Sequence, residues 1–305
     1  MDWAYLLQQL FNGLVLGSIY GLIAIGYTMV YGIIGMINFA HGDIYMISAY
    51  LTAIFIALLT LFGLPSLVLT LFITALITMI ITGLYGWLIE RIAYRKLRFS
   101  NRLAPLISAI GVSLLLQNFV RTSQGARTQA LPVLISGKME FGQGDNIIIL
   151  ANIESLIIVV SFICMVLLSL FINKTRLGQA MRATQQDLIM ASILGVSPNK
   201  IIPLVFVLGS CLAAIAGTLV TLNYGSFDFA IGFVIGIKAF TSAVLGGIGS
   251  IAGAMLGGLL LGMTESLFSA YVAVDYKDVF AFAVLILVLI FKPNGLLGAK
   301  DVEKV

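Results

Sequence analysis

The sequence predicts an all-α fold, a polytopic transmembrane helical bundle of about 8–9 spans. Three observations carry this. Of 305 residues, 60% are apolar and only 10% are charged, against about 25% charged in an average soluble domain. The mean hydropathy is +1.10. The apolar residues fall in repeated runs long enough to cross a bilayer. So few polar residues cannot cover a water-soluble fold of this length. The composition excludes an ordinary cytosolic enzyme, a disordered chain and a nucleic-acid binder. The net charge of +4 becomes a question of which side of the bilayer holds the positive charges.

Crossing ~30 Å of hydrocarbon takes about 20 apolar residues at 1.5 Å each. The first such run extends from about Leu10 to Tyr31. The second, Ile44 to Phe62, stops at Gly63-Leu64-Pro65. The third is Leu67 to Ile89, and the fourth, Ala104 to Val120, is short. Ser155 to Ile172 and Ile201 to Leu222 are the fifth and sixth. Two glycine-laden runs follow, Ile231 to Gly247 and Ile251 to Ala270, and Val279 to Phe291 closes the series. The stretch 231–247 reads as either a span or a re-entrant segment. Residues 1–305 read as a single transmembrane domain with nine candidate spans.

Orientation follows from Lys and Arg. Loop 90–103 holds Arg91, Arg95, Lys96, Arg98 and Arg102. Loop 173–200 holds Lys174, Arg176, Arg182 and Lys200. The tail holds Lys292, Lys300 and Lys304. The alternate side has only Arg121, Arg127, Lys138 and Lys277. The positive-inside rule places the first group in the cytoplasm. The N-terminus, with Asp2, then lies outside, the C-terminus lies inside, and 121–154 is the long outer loop. The first apolar run is too long for a signal-peptide core and has no basic n-region.

The spans hold many of the 31 glycines. Gly13, Gly17, Gly21 and Gly26 sit in the first. Gly246, Gly247, Gly249, Gly253, Gly257, Gly258 and Gly262 cluster late, with GxxxG patterns at 253–257 and 258–262. Small residues let helix backbones approach closely in a membrane. Some also break helices beside a conduit. Cys164 and Cys211 lie in apolar runs and read as small buried hydrophobes rather than a disulfide. With one histidine and no Cys/His cluster, a metal site is not expected. No G-x-x-x-x-G-K-[ST], no Ser/His/Asp set and no H-E-x-x-H occurs. The chain reads as a non-enzyme with no cofactor of its own.

Two stretches stand out. Tyr31 to Asp43 joins the first two spans without an ordinary polar loop. Gly35, Asn38, His41 and Gly42 mark it either as a broken segment at the inner mouth of a pathway or as an interfacial turn in which Asn38 and Asp43 cap backbone groups. Gly246 and Gly247 are the matching candidates near the other end. The second stretch, Thr175 to Pro198, is cytoplasmic by charge. Met181, Leu188, Ala191, Ser192 and Leu194 fall near helical spacing, with Arg182 and Gln185 flanking. Gly195 and Pro198 form a helix stop. A short amphipathic helix here either lies on lipid or docks into a groove on a partner.

This second stretch is similar to the coupling loop of binding-protein-dependent ABC importer permeases. Joined with Tyr31–Asp43, Leu22–Val30, Ala243–Gly253 and Glu303-Lys304-Val305, it extends the similarity over essentially the whole chain. The chain resembles the high-affinity branched-chain amino acid permease family, and most closely the H-type of that system's two permease subunits. The resemblance implies a multi-pass component of the bacterial inner membrane. A periplasmic substrate-binding protein would deliver leucine, isoleucine or valine. A second homologous permease chain would complete the pathway, and two ATPase subunits would hold the ATP and Mg. Arg176, Gly178, Arg182, Asp187, Ala191, Leu194 and Gly195 would form the ATPase-coupling face. The wider superfamily motif has Glu-Ala-Ala with Gly three residues on. Here Arg182-Ala183-Thr184 lacks the Glu, and Ala191-x-x-x-Gly195 keeps only the spacing. Another small solute, such as urea or a different amino acid, is the alternative cargo. A secondary transporter would need an intramembrane acidic route and an inverted repeat, and the sequence presents neither clearly.

Two ionisable residues lie at depth. Lys238 is seven residues into a span running inward, and Glu265 is about five residues before the outer end of the next. Both fall roughly 10 Å below the outer surface at 1.5 Å per residue. They form either an ion pair or network, or two side chains that snorkel separately.

Overall fold

The computed structural model describes residues 3–64, 66–98, 100–101, 103–142 and 147–298. The orientation residues Asp2, Arg102, Lys300 and Lys304, and the terminal Glu303-Lys304-Val305, lie outside them. Eleven helices are described. They are α1 (Trp3–Ile34), α2 (Ala40–Leu61), α3 (Leu67–Ile89), α4 (Leu103–Gln124), α5 (Asn152–Lys174), α6 (Arg176–Gln186), α7 (Leu188–Ile193), α8 (Pro198–Tyr224), α9 (Ile231–Gly246), α10 (Ile251–Tyr271) and α11 (Lys277–Phe291).

Each of the nine apolar runs has its helix. Seven of the described helices are long and apolar enough to cross a membrane. The other two, α9 at 16 residues and α11 at 15, are shorter than the ~20 that a straight crossing needs. Helix α1 starts at Trp3, well before Leu10. At 32 residues it is about 48 Å long and overreaches the hydrocarbon.

The helical bundle carries a few short strands outside its helices. The segment 121–154 contains strands β1 (Gln129–Ala130), β2 (Lys138–Phe141) and β3 (Ile148–Ala151), and β4 (Ser226–Phe227) follows α8. β2 and β3 pair antiparallel, as do β1 and β4. Backbone that leaves a helix still needs hydrogen-bond partners, and these short ladders supply them.

The chain divides into two compact units. One comprises residues 1–28, 136–169 and 237–305, the other residues 29–135 and 170–236. In the first, α1 and α10 mesh through glycine. A side chain at Gly262 would meet the backbone of Gly17, and one at Gly258 the backbone of Gly21. The other GxxxG pair faces elsewhere, with Gly253 and Gly257 against the end of α9 at Gly246. Phe268 of α10 stacks on Phe280 of α11 at 4.5 Å between centroids. Gln8 of α1 brackets β3, its amide accepting from the Ile149 N–H and donating to the Ile149 carbonyl, each at 2.8 Å.

In the second unit, α8 packs on α2 and α3. Helix α3 turns a polar stripe inward: Thr70, Thr74, Thr78 and Thr82, then Gly83 and Gly86, are buried. Their spacing of four keeps them on one face. Its outer face bears Val68, Phe72 and Ile80, which suits lipid. Thr52 of α2 shares a 2.9 Å hydrogen bond with Thr218 of α8. Every residue of α2 from Ala40 to Tyr50 is buried, so its first half lies in the core of this unit.

Candidate functional site

The segment joining α1 to α2 is held open by glycine. Gly35 takes φ +70°, a left-handed geometry that side chains resist, and its N–H donates to the Tyr31 carbonyl at 2.7 Å. Helix α2 then begins at Ala40 with no side-chain cap. Asn38 is 2% exposed, His41 and Asp43 1% each. Asn38 and Asp43 do not act as caps, contrary to the turn reading. Asn38 Oδ1 instead accepts from the Tyr94 hydroxyl at 3.1 Å. Asp43 Oδ1 accepts from the Gln117 amide at 3.0 Å. Gly42 lets the start of α2 meet α9, since a Cβ there would run into the Gly232 carbonyl. The structure thus gathers α2, α4, the turn after α3 and the start of α9 around three buried polar side chains.

Gly246 and Gly247 lie in the other unit, where α9 ends. Gly246 faces the Gly253 backbone, and Gly247, at φ +104°, faces Gly298. The chain after α11 returns to cap this end, the N–H of Leu297 donating to the Gly246 carbonyl at 2.9 Å.

The stretch 175–195 is two short helices rather than one. The apolar periodicity runs through Asp187, but Asp187 is extended there (φ −156°, ψ 110°). It ends α6 and starts α7, its carboxylate accepting from the N–H groups of Ile189 at 2.9 Å and Met190 at 3.0 Å. An aspartate at a helix start is a strong N-cap, and that preference overrides the pattern. Thr175 caps α6 in the same way through the Gly178 N–H at 3.0 Å.

The remaining loop residues divide by role. Arg182 donates to the Ile172 carbonyl at the end of α5, where a cation also suits the helix dipole. Gly178 sits against the same carbonyl. These contacts brace α6 on α5. Met181 and Ala191 are buried. Arg176 and Gly195 are exposed, and Gly195 ends α7 at φ +89°. Ile189, Met190, Ile193 and Leu194 project outward, Leu194 being 81% exposed.

The third site is ionic. Lys238 Nζ lies 2.6 Å from Glu265 Oε1 and 2.6 Å from Asp278 Oδ1. The Tyr20 hydroxyl donates to Glu265 Oε1 at 3.3 Å. Lys238 is 3% exposed and Glu265 2%, so neither snorkels alone. Asp278 was not anticipated. It stands in the first turn of α11 beside Lys277, where it reads as an outer-loop charge. The contacts among Glu90, Arg98 and Asn199 also escaped the sequence reading, which took Arg98 only as an orientation charge. Arg98 pairs with buried Glu90 and donates to Asn199 Oδ1 at 2.9 Å, linking the end of α3 to the start of α8. Among the described residues no group of His, Cys, Asp and Glu is arranged to hold a metal ion.

The family described as branched-chain amino acid transport system / permease component matches residues 9–289. The chain is 54% identical to the high-affinity branched-chain amino acid transport system permease protein BraD of Pseudomonas aeruginosa, over 98% of each chain. It is 52% identical to the corresponding protein LivH of Escherichia coli K12, over 100% of this chain and 99% of that one. It is also 31% identical over 166 residues to the permease protein LivM of Escherichia coli K12, covering 52% of this chain and 36% of that one. No solved structure matches the chain.

Proposed function

The chain belongs to the family of branched-chain amino acid transport system permease components, and on that premise we propose that it is the transmembrane subunit of an ATP-driven importer. It passes leucine, isoleucine or valine from a periplasmic binding protein into the cytoplasm, across the inner membrane of a bacterium. The near-full-length identity to BraD and LivH supports the cargo. The partial likeness to LivM supports a second, homologous permease chain as partner. Two ATPase subunits supply ATP and Mg chemistry, and this chain contributes neither. It works as one permease domain with its N-terminus outside and its C-terminus in the cytoplasm.

The observation that carries the coupling role is the α7 knob. Ile189, Met190, Ile193 and Leu194 are exposed on a loop with Lys174, Arg176, Arg182 and Lys200. An exposed apolar patch rimmed by polar groups marks a docking surface. A helix inserts such anchors into a groove on its partner. The linkage behind it is short and stiff. Helix α6 is clamped to α5 by Arg182, and only 194–197 separate α7 from α8. A push on the knob therefore moves α8, and with it the faces of α2 and α3 that pack on it. The polar segment at the start of α2 lies within this unit.

The test is uptake in proteoliposomes holding both permease chains and both ATPases. Labelled leucine should accumulate only with ATP and the binding protein, and unlabelled urea should not compete. Uptake driven by a proton or sodium gradient without ATP would overturn the reading.

A further inference from the structure

Among the described residues three carboxylates are buried to 2% exposure or less: Asp43, Glu90 and Glu265. Two have a cation. Glu90 pairs with Arg98 and Glu265 with Lys238. Asp43 has none among the described ion pairs. Gln117 donates to its Oδ1 and Ser113 stands beside the same carboxyl group, while Oδ2 is buried without a hydrogen bond of ordinary geometry. Five residues earlier stands the converse case. Asn38 has its Oδ1 engaged by Tyr94, and its amide Nδ2 is buried without an acceptor. Between them the first turn of α2 carries no side-chain cap. One short segment thus holds a vacant cation acceptor, a vacant anion donor and the positive end of a helix.

An unpaired buried charge is costly, and in a membrane protein such residues mark substrate routes. Asp43 stands in the first turn of α2, and its carboxyl group, oriented by Gln117, suits a primary ammonium. The amide of Asn38, beside the positive end of α2, suits a carboxylate. We infer that the segment from Asn38 to Asp43 is a recognition point for a zwitterionic α-amino acid, Asp43 taking its ammonium and Asn38 its carboxylate. Gly42 belongs to the same device: lacking a side chain, it lets α9 lie against the start of α2. This rests on the import reading above.

The test uses the complete complex in proteoliposomes with its binding protein. Replacing the carboxylate by an amide in Asp43→Asn keeps the size and the Gln117 contact but removes the charge. Leucine uptake should fall roughly tenfold or more, the scale of losing one charged hydrogen bond. ATP hydrolysis stimulated by the binding protein should stay within about twofold, since uniform loss would mean a folding defect. Uptake within twofold of the unaltered protein would overturn the inference. A second measurement needs no variant. Leucine bearing a photoreactive diazirine is captured by the unaltered complex trapped with vanadate. Adducts should fall on peptides spanning 36–46 or 110–120, and adducts confined elsewhere would overturn the inference. If the unaltered complex imports no branched-chain amino acid at all, the import reading itself fails, which separates the two outcomes.

Discussion

The Lys238 cluster shows how much one buried side chain decides. A single ammonium serves two carboxylates at 2.6 Å each, and Tyr20 adds a hydrogen bond to one of them. The net value of such a cluster is small, because desolvation offsets attraction. Breaking it is another matter. Lys238→Met should destabilise the protein by about 3–5 kcal/mol, the scale for an uncompensated buried charge. The double change Lys238→Met, Glu265→Met should recover most of that loss, since apolar replacement of a buried pair is often neutral. Thermal unfolding of the purified chain checks both, and equal losses in the single and double variants would contradict the pairing. Counting along two antiparallel spans offers the nearness of Lys238 and Glu265 as one of two readings. It does not offer the third partner. Asp278 belongs to another helix, and nothing in the order of residues states which turn of α11 stands opposite Lys238. Asp187 teaches the same lesson locally, because its carboxylate bonds backbone groups that a hydrophobic pattern does not register.

At the scale of elements, glycine packing and the two-helix loop at 175–198 matter most. The two GxxxG patterns of α10 look alike in sequence, yet one meets α1 and the other meets α9. Gly262→Leu should drive the backbones of α1 and α10 apart and cost about 1–3 kcal/mol or more, as overpacking does. Gly111→Leu is the control: space beside Gly111 is open, and leucine has the higher helix propensity. A lower melting temperature for the first and no loss for the second is the expected pair of results. In the coupling loop, Leu194→Asp places a charge on the knob, and Gly195→Pro forbids the φ of +89° there. Both should leave the chain in the membrane and cut ATP-dependent uptake sharply. Normal uptake in both would remove α7 from the docking role. The loop's helicity was legible from its spacing, whereas its division into α6 and α7 and the clamp of Arg182 on α5 were not.

For the whole molecule the open quantity is how often the chain crosses the bilayer. Nine apolar helices are described, but α9 and α11 are short. Their number sets the side of each loop. We expect cysteine at Ser226 to react with an impermeant thiol reagent from outside, and cysteine at Ser250 only from the cytoplasmic side. Reaction of both from one side would make α9 a re-entrant segment and overturn the count of nine. Cys164 and Cys211 sit in membrane-length helices, which keeps their background low. The same experiment tests the positive-inside assignment, because Ser250 belongs on the side of the basic loops 90–98 and 173–200.

The order of residues by itself determined the membrane environment, the places of the nine apolar helices, the segments at 31–43 and 175–198, and the pairing of Lys238 with Glu265 as one of two readings. Each of these depends on composition or on periodicity and position along single helices, and the linear chain carries both. Tertiary structure decided the rest: that Asp278 completes the Lys238 cluster, that Arg98 ties Glu90 to Asn199, and that Asp43 finds Gln117 but no cation among the described residues. Those outcomes depend on the register and rotation of one helix against another. Packing of glycine against backbone sets that register, and it acts between residues far apart in the chain.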